Sequence, residues 1–199
     1  MLKKILEYIS DLWYPKIRIR EYRRKNMSRG FSALDIANWF VWYNQVQKME
    51  HTNEEDSYDV YEGLTHLKIQ KLLYFAEGVC LATFNKQLFK EKIYAWPHGP
   101  VVKNVYEKLC ENGSKEIEFK ITDYPVIQDI NSNADVYNLL VSVYDSYAGY
   151  TAWQLREKSH VPGGPWQITV DTKGMQKEID KNLIKDYFKK IVKVENGYQ

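Results

Sequence analysis

The chain has 199 residues, 44% hydrophobic and 27% charged, with 28 Lys/Arg against 26 Asp/Glu. That balance supplies enough apolar surface to offset the ordering entropy of folding, which excludes a disordered chain, and ten glycines with six prolines exclude collagen-like and low-complexity classes. The outlying quantity is aromatic, 16 Tyr, 7 Phe and 6 Trp, a level that serves cores and interfaces and points to a sticky binding surface.

The net charge of +2 is unevenly spread. Residues 1–30 hold nine basic side chains (Lys3, Lys4, Lys16, Arg18, Arg20, Arg23, Arg24, Lys25 and Arg29) against Glu7, Asp11 and Glu21, so this arm carries +6 and the rest −4. Leu2, Ile5, Leu6, Ile9, Leu12 and Trp13 recur at helical spacing up to Pro15, a short basic amphipathic helix. It reads either as a solvated appendage or as a contact for nucleic acid or an anionic membrane. The expected organisation is an arm over 1–30 and one domain over 31–199.

Ser32, with Asp35 three residues on, opens a helix to about residue 48 carrying Ala33, Ile36, Ala37 and Phe40. Residues 50–62 are acidic and polar, a loop. Thr65 caps a helix over 66–84 whose stripe (Ile69, Leu72, Leu73, Ala76, Val79, Cys80) is widened by Phe75 and Leu81, so it belongs near the centre of the domain. Glu91–Trp96 reads as extended. Pro100 is placed as the first residue of a third helix ending at Gly113, and Lys115–Ile121 alternates like a half-buried strand. A helix over 134–147, a Thr151/Gln154 capping box for a helix ending near Ser159, a loop His160–Trp166 and a last helix capped by Asp180 complete the chain. The fold class is therefore mainly α, about five to six helices with a small β element.

Cys80 and Cys110 lie far apart in helical patterns with no CxxC or Cys/His cluster, so they read as reduced core thiols of a cytoplasmic protein and not as zinc ligands. No small-residue cleavage site follows the N-terminal lysines, and no apolar run approaches the roughly 18 residues of a membrane span. Phosphate-cradling and nucleophile-elbow motifs are missing, and His51 with Glu54, Glu55 and Asp56 lacks ligand spacing. A binding protein without cofactor or metal is expected, not an enzyme.

Two turns carry the remaining histidines of interest, Trp96-Pro97-His98-Gly99-Pro100 and His160-Val161-Pro162-Gly163-Gly164-Pro165-Trp166. Side by side they would form a stiff aromatic pocket rimmed by imidazoles, either a recognition site or an acid/base pair, while the structural alternative has each histidine fixing its own loop. Lys68–Gly78, Leu88-Phe89-Lys90-Glu91, Ala95–Val102 and the late His160…Pro165-Trp166 follow one another in an order that resembles the Panacea domain of the SocA-like antitoxins, over about residues 31–190. The resemblance implies an antitoxin that binds and neutralises a protein toxin, in a phage or prophage setting, or an adaptor that delivers its partner to a protease. Motif by motif it implies partner-binding roles for Lys71, Tyr74, Trp96, His98, Gly99, Pro100, Tyr106, His160, Pro165 and Trp166. It covers none of the basic arm.

Overall fold

The computed structural model describes residues 17–20, 30–51 and 63–195. In chain order it contains β1 (Ile17–Arg20), α1 (Ala33–His51), α2 (His66–Phe84), β2 (Ile93–Trp96), β3 (Gly99–Val102), α3 (Lys103–Leu109), α4 (Tyr124–Ser132), α5 (Ala134–Tyr147), α6 (Ala152–Ser159), α7 (Pro165–Lys173), α8 (Lys181–Ile191) and β4 (Val192–Glu195). The class is mainly α with a small β element, and the eight α-helices among the described residues exceed the five to six expected. None of them is long and apolar enough to cross a membrane. The N-terminal amphipathic helix and residues 52–62 of the expected acidic loop lie outside the described residues, while Glu50 and His51, expected in that loop, form the last turn of α1.

The helix starts follow the side chains that cap them. The Ser32 hydroxyl accepts from the Asp35 N–H while the Asp35 carboxylate accepts from the Ser32 N–H, at 3.1 and 2.8 Å. Thr151 and Gln154 make the same reciprocal pair at the start of α6, and Thr65 and Asp180 cap α2 and α8. Each such pair satisfies backbone donors that a helix terminus leaves open.

α2 is the axis of the domain. It is buried continuously from Lys68 to Leu81, with α8, α5, α6 and β3 packed around it. Phe75 stacks on Tyr147 of α5 with ring centroids 4.0 Å apart, and Tyr74 meets Phe188 of α8 edge-on at 5.4 Å. On α1, Trp39 stacks on Tyr43 and donates its indole N–H to Asn131 at 2.8 Å. Much of the aromatic excess is thus core: Trp39, Phe40, Tyr74, Phe75, Phe89, Tyr144, Tyr147 and Phe188 are all buried. These rings serve the core, because side chains this large fill the space between helices first.

Four further expectations are corrected. Pro100 does not start a helix: it sits in β3, paired with Ala95, and α3 begins at Lys103. Lys115–Ile121 is no strand, because only Thr65 bridges it, with the Ile117 N–H donating to the Leu64 carbonyl at 2.9 Å, and alternation without a partner strand builds no ladder. The expected loop around His160–Trp166 ends in a helix, α7, with Pro165 as its first residue. Cys110 is only half-buried in the 3-10 turn Cys110–Asn112, whereas Cys80 is in the core.

Two short sheets complete the fold. β2 and β3 form an antiparallel hairpin, and β1 pairs in parallel with β4, bringing residues 17–20 of the basic arm to the end of α8 and against α5.

Gly78 of α2 lies directly against the Phe188 ring of α8. A methyl group there would stand 2.4 Å from Phe188 ring carbons. Gly→Ala within a helix ordinarily gains up to about 1 kcal/mol. Here the overlap reverses the sign, and Gly78→Ala is expected to destabilise by about 1–3 kcal/mol in urea unfolding. A variant as stable as the parent would refute this packing.

Candidate functional site

The β2–β3 hairpin turns tightly, with Trp96 opposite Gly99 and the exposed Pro97 and His98 at its tip. Gly99 has φ +103°, which only glycine adopts without strain. A methyl there would also lie 2.7 Å from Lys71 Nζ and 2.8 Å from Ser159 Oγ. The hairpin therefore rests backbone-first on side chains of α2 and α6.

Two buried residues of α2 hold it there. The Gln70 amide accepts the Val102 N–H at 2.7 Å and faces the Val102 carbonyl as donor at 3.4 Å. Beside it, Lys71 Nζ donates to the Pro100 carbonyl at 3.2 Å, its one hydrogen bond among the described residues. Pro100, lacking an N–H, loses nothing at this position and contributes its carbonyl.

α6 and α7 close the other side. The Trp166 indole donates to the Trp96 carbonyl at 2.9 Å, and His160 packs on Trp166 with ring centroids 3.8 Å apart. Trp96 in turn contacts Tyr106 at 5.0 Å, and Tyr106 contacts His66 at 5.6 Å. His160 Nδ1 lies 2.7 Å from the Arg156 carbonyl, which can only accept, so Nδ1 carries the proton. The Ser159 hydroxyl donates to the same carbonyl at 2.7 Å.

The electrostatics of this corner are one-sided. Burial lowers the Lys71 ammonium from the usual lysine range to about 7, and the positive charge of Arg156 adds to the effect. His160 is lowered chiefly by burial, with the carbonyls of Arg156 and Pro97 opposing and the charges of Arg156 and Lys71 reinforcing. His66 is lowered by burial and then by Lys71. Glu157 is ion-paired with Arg156 at 2.7 Å, and no carboxylate is ion-paired with Lys71 among the described residues.

Nine of the ten residues singled out in the sequence converge here. Trp96, His98, Gly99 and Pro100 form the hairpin, Lys71 lies beneath it, Tyr106 beside it, and His160, Pro165 and Trp166 behind it. Tyr74 stands apart, buried between Phe75 and Phe188. Both Lys71 and Tyr74 are almost fully enclosed, whereas Pro97 and His98 are open to solvent. The sequence reading missed Gln70, Arg156 and Trp153. Trp153 is 64% exposed with the Arg156 guanidinium 4.8 Å over its ring. Its signal was legible: it lies two positions from Leu155, the buried apolar residue of α6, and positions i and i+2 do not share a helix face.

Lys71 makes stability depend on pH in a definite direction. Its native-state value lies below 10.5, so between about pH 7 and 10.5 the unfolded chain binds the proton that the folded chain has released. Stability from this group therefore rises with pH across that window and is lowest below it. Relative to Lys71→Met, the parent is expected to gain on the order of 2 kcal/mol between pH 6 and 9 in paired urea titrations. A difference between the two proteins that stays constant with pH would rule this out.

Comparison with known proteins relates this geometry to a family. Residues 69–167 match the family model described as antitoxin SocA-like, Panacea domain, a span that holds all ten of those residues. The chain is also similar to antitoxin SocA of Caulobacter vibrioides, 29% identical over 136 residues, which cover 63% of this chain and 72% of that protein. No solved structure matches the chain. The segment that holds the buried α2 helix, the hairpin resting on it and the Trp166 turn behind them, residues 69–167, therefore matches the Panacea domain of the SocA-like antitoxins.

Proposed function

We propose that this chain is an antitoxin that binds a protein toxin and neutralises it by stoichiometric complex formation. The observation that carries the reading is the Panacea match over residues 69–167, within which the hairpin, α6 and the first turn of α7 with Trp166 are pinned together around aromatic side chains. Rigid aromatic groups lose little freedom on binding, which suits them to interface duty. On this reading the protein works in the cytoplasm beside its toxin, in a phage- or prophage-encoded pair.

Binding in preference to turnover is supported by the protons of the site. A catalytic Ser159–His160 pair would need the nitrogen that faces the hydroxyl, Nδ1 at 3.2 Å, free to accept from it. Here Nδ1 donates to the Arg156 carbonyl, and the hydroxyl donates to the same oxygen. Lys71 is 1% exposed and lies under Gly99, out of reach of a substrate.

The experiment is co-expression with the product of the neighbouring reading frame. That product alone is expected to arrest growth, and this chain to restore it. In vitro, full neutralisation is expected only when the chain is at least equimolar with the toxin. Neutralisation complete at one part in twenty would demonstrate turnover and overturn the binding reading, and a harmless neighbour would remove that toxin altogether.

A further inference from the structure

On α6, Leu155 and Ser159 face inward and are buried, while Trp153 on the outer face is the most exposed aromatic side chain among the described residues. Exposed at 64%, its indole is covered on one side only by Arg156. The guanidinium is held in place by Glu157 at 2.7 Å, and its Nε is shielded from solvent with no hydrogen-bond partner. A guanidinium stacked on an indole and restrained by a neighbouring carboxylate has already lost much of the rotational freedom that binding would remove.

The surroundings of Arg156 set the sign of what it takes. Its charge reaches Lys71 and His160, which both respond to it, and Lys71 in turn reaches His66. Glu157 is the one carboxylate ion-paired within this group among the described residues. The other large exposed apolar side chains, Met49, Tyr124 and Met175, lie on other segments of the chain.

From this arrangement we infer that the outer face of α6, centred on Trp153 and Arg156, is the docking surface for an acidic segment of the protein partner. A carboxylate of that segment pairs with Arg156, and an apolar neighbour covers the Trp153 ring. This rests on the toxin-binding reading and names the surface that carries it. The contact combines a hot-spot aromatic–arginine pair with charge complementarity, which speeds encounter and makes it sensitive to salt. It also assigns Lys71 and Tyr74 to support, with contact made by side chains that solvent reaches.

The probe is the purified toxin encoded by the neighbouring reading frame, with binding followed by calorimetry at low and high salt. Trp153→Ala changes an exposed side chain and Arg156→Glu a half-buried one, and neither removes the Arg156 carbonyl that holds Ser159 and His160. Each is expected to weaken binding on the order of 30-fold or more with an unchanged circular dichroism spectrum, and Tyr124→Ser to leave it within about twofold. Raising salt should weaken the parent's binding and have less effect on that of Arg156→Glu. If the toxin binds the parent and both variants equally, the face is wrong while the antitoxin reading stands. If the toxin fails to bind the parent at all, the reading itself falls and takes the face with it. A single-stranded oligonucleotide bound by the parent but not by Arg156→Glu would overturn the choice of an acidic protein segment.

Discussion

The structure depends on one constraint: a central helix enclosed on every side that nonetheless carries polar side chains. Gln70, Lys71 and Glu77 of α2 are all buried. A buried polar group without a partner costs roughly 1–3 kcal/mol, and a buried charge more, so whatever wraps this helix must supply partners. Gln70 is answered by the backbone of Val102, Lys71 by the carbonyl of Pro100, and Glu77 by the N–H groups of Leu88 and Phe89 together with Lys181 of α8 at 2.9 Å. Burial pushes the Glu77 carboxyl above its usual range even against the pull of Lys181, a sign of how dry this position is. The three side chains thus hold the hairpin, the turn before it and the last helix in place.

The surface proposed for partner binding follows from that arrangement. Once the hairpin is clamped to α2 from below, its Trp96 carbonyl is available to the Trp166 indole, and α7 is tied to the hairpin. His160 then packs against Trp166 and the Arg156 carbonyl, which fixes the end of α6 and directs Trp153 and Arg156 outward. Buried polar contacts specify position where apolar packing alone would allow sliding. Recognition groups on short helices and a four-residue strand are in this way held as firmly as if they stood on longer elements.

How far the sequence could be read depended on the range of the interaction that decides each element. α2 and α5 were expected over the residues they occupy, because apolar residues at helical spacing and, for α2, the cap Thr65 are local signals. The two prolines that can begin a helix show the limit. Pro100 and Pro165 are locally similar, each with a glycine before it and a bulky residue after, yet one pairs in a strand and the other opens α7. The difference lies in what surrounds them, since β2 and Lys71 occupy Pro100 from two sides. The candidate residues around the hairpin were legible because their motifs are dense in Trp, Pro, Gly and His, whereas Arg156 has no such surroundings and its role comes from Trp153, Glu157 and Lys71 in space.

By itself the sequence determined a mainly helical chain, the extents of its best-capped helices, a basic arm distinct in charge from the body, and the ordered motifs that carry the Panacea resemblance. These rest on neighbours three or four residues apart, or on residue identity alone. Only the tertiary structure decided which of the large aromatics fill the core, that Lys71 is a nearly enclosed support for the hairpin, and that Trp153 with Arg156 is the group left facing outward. The physical reason is that burial and charge environment depend on residues far away in the chain, such as Phe188 beside Gly78 or Gly99 above Lys71. Those neighbours exist only once the helices have packed.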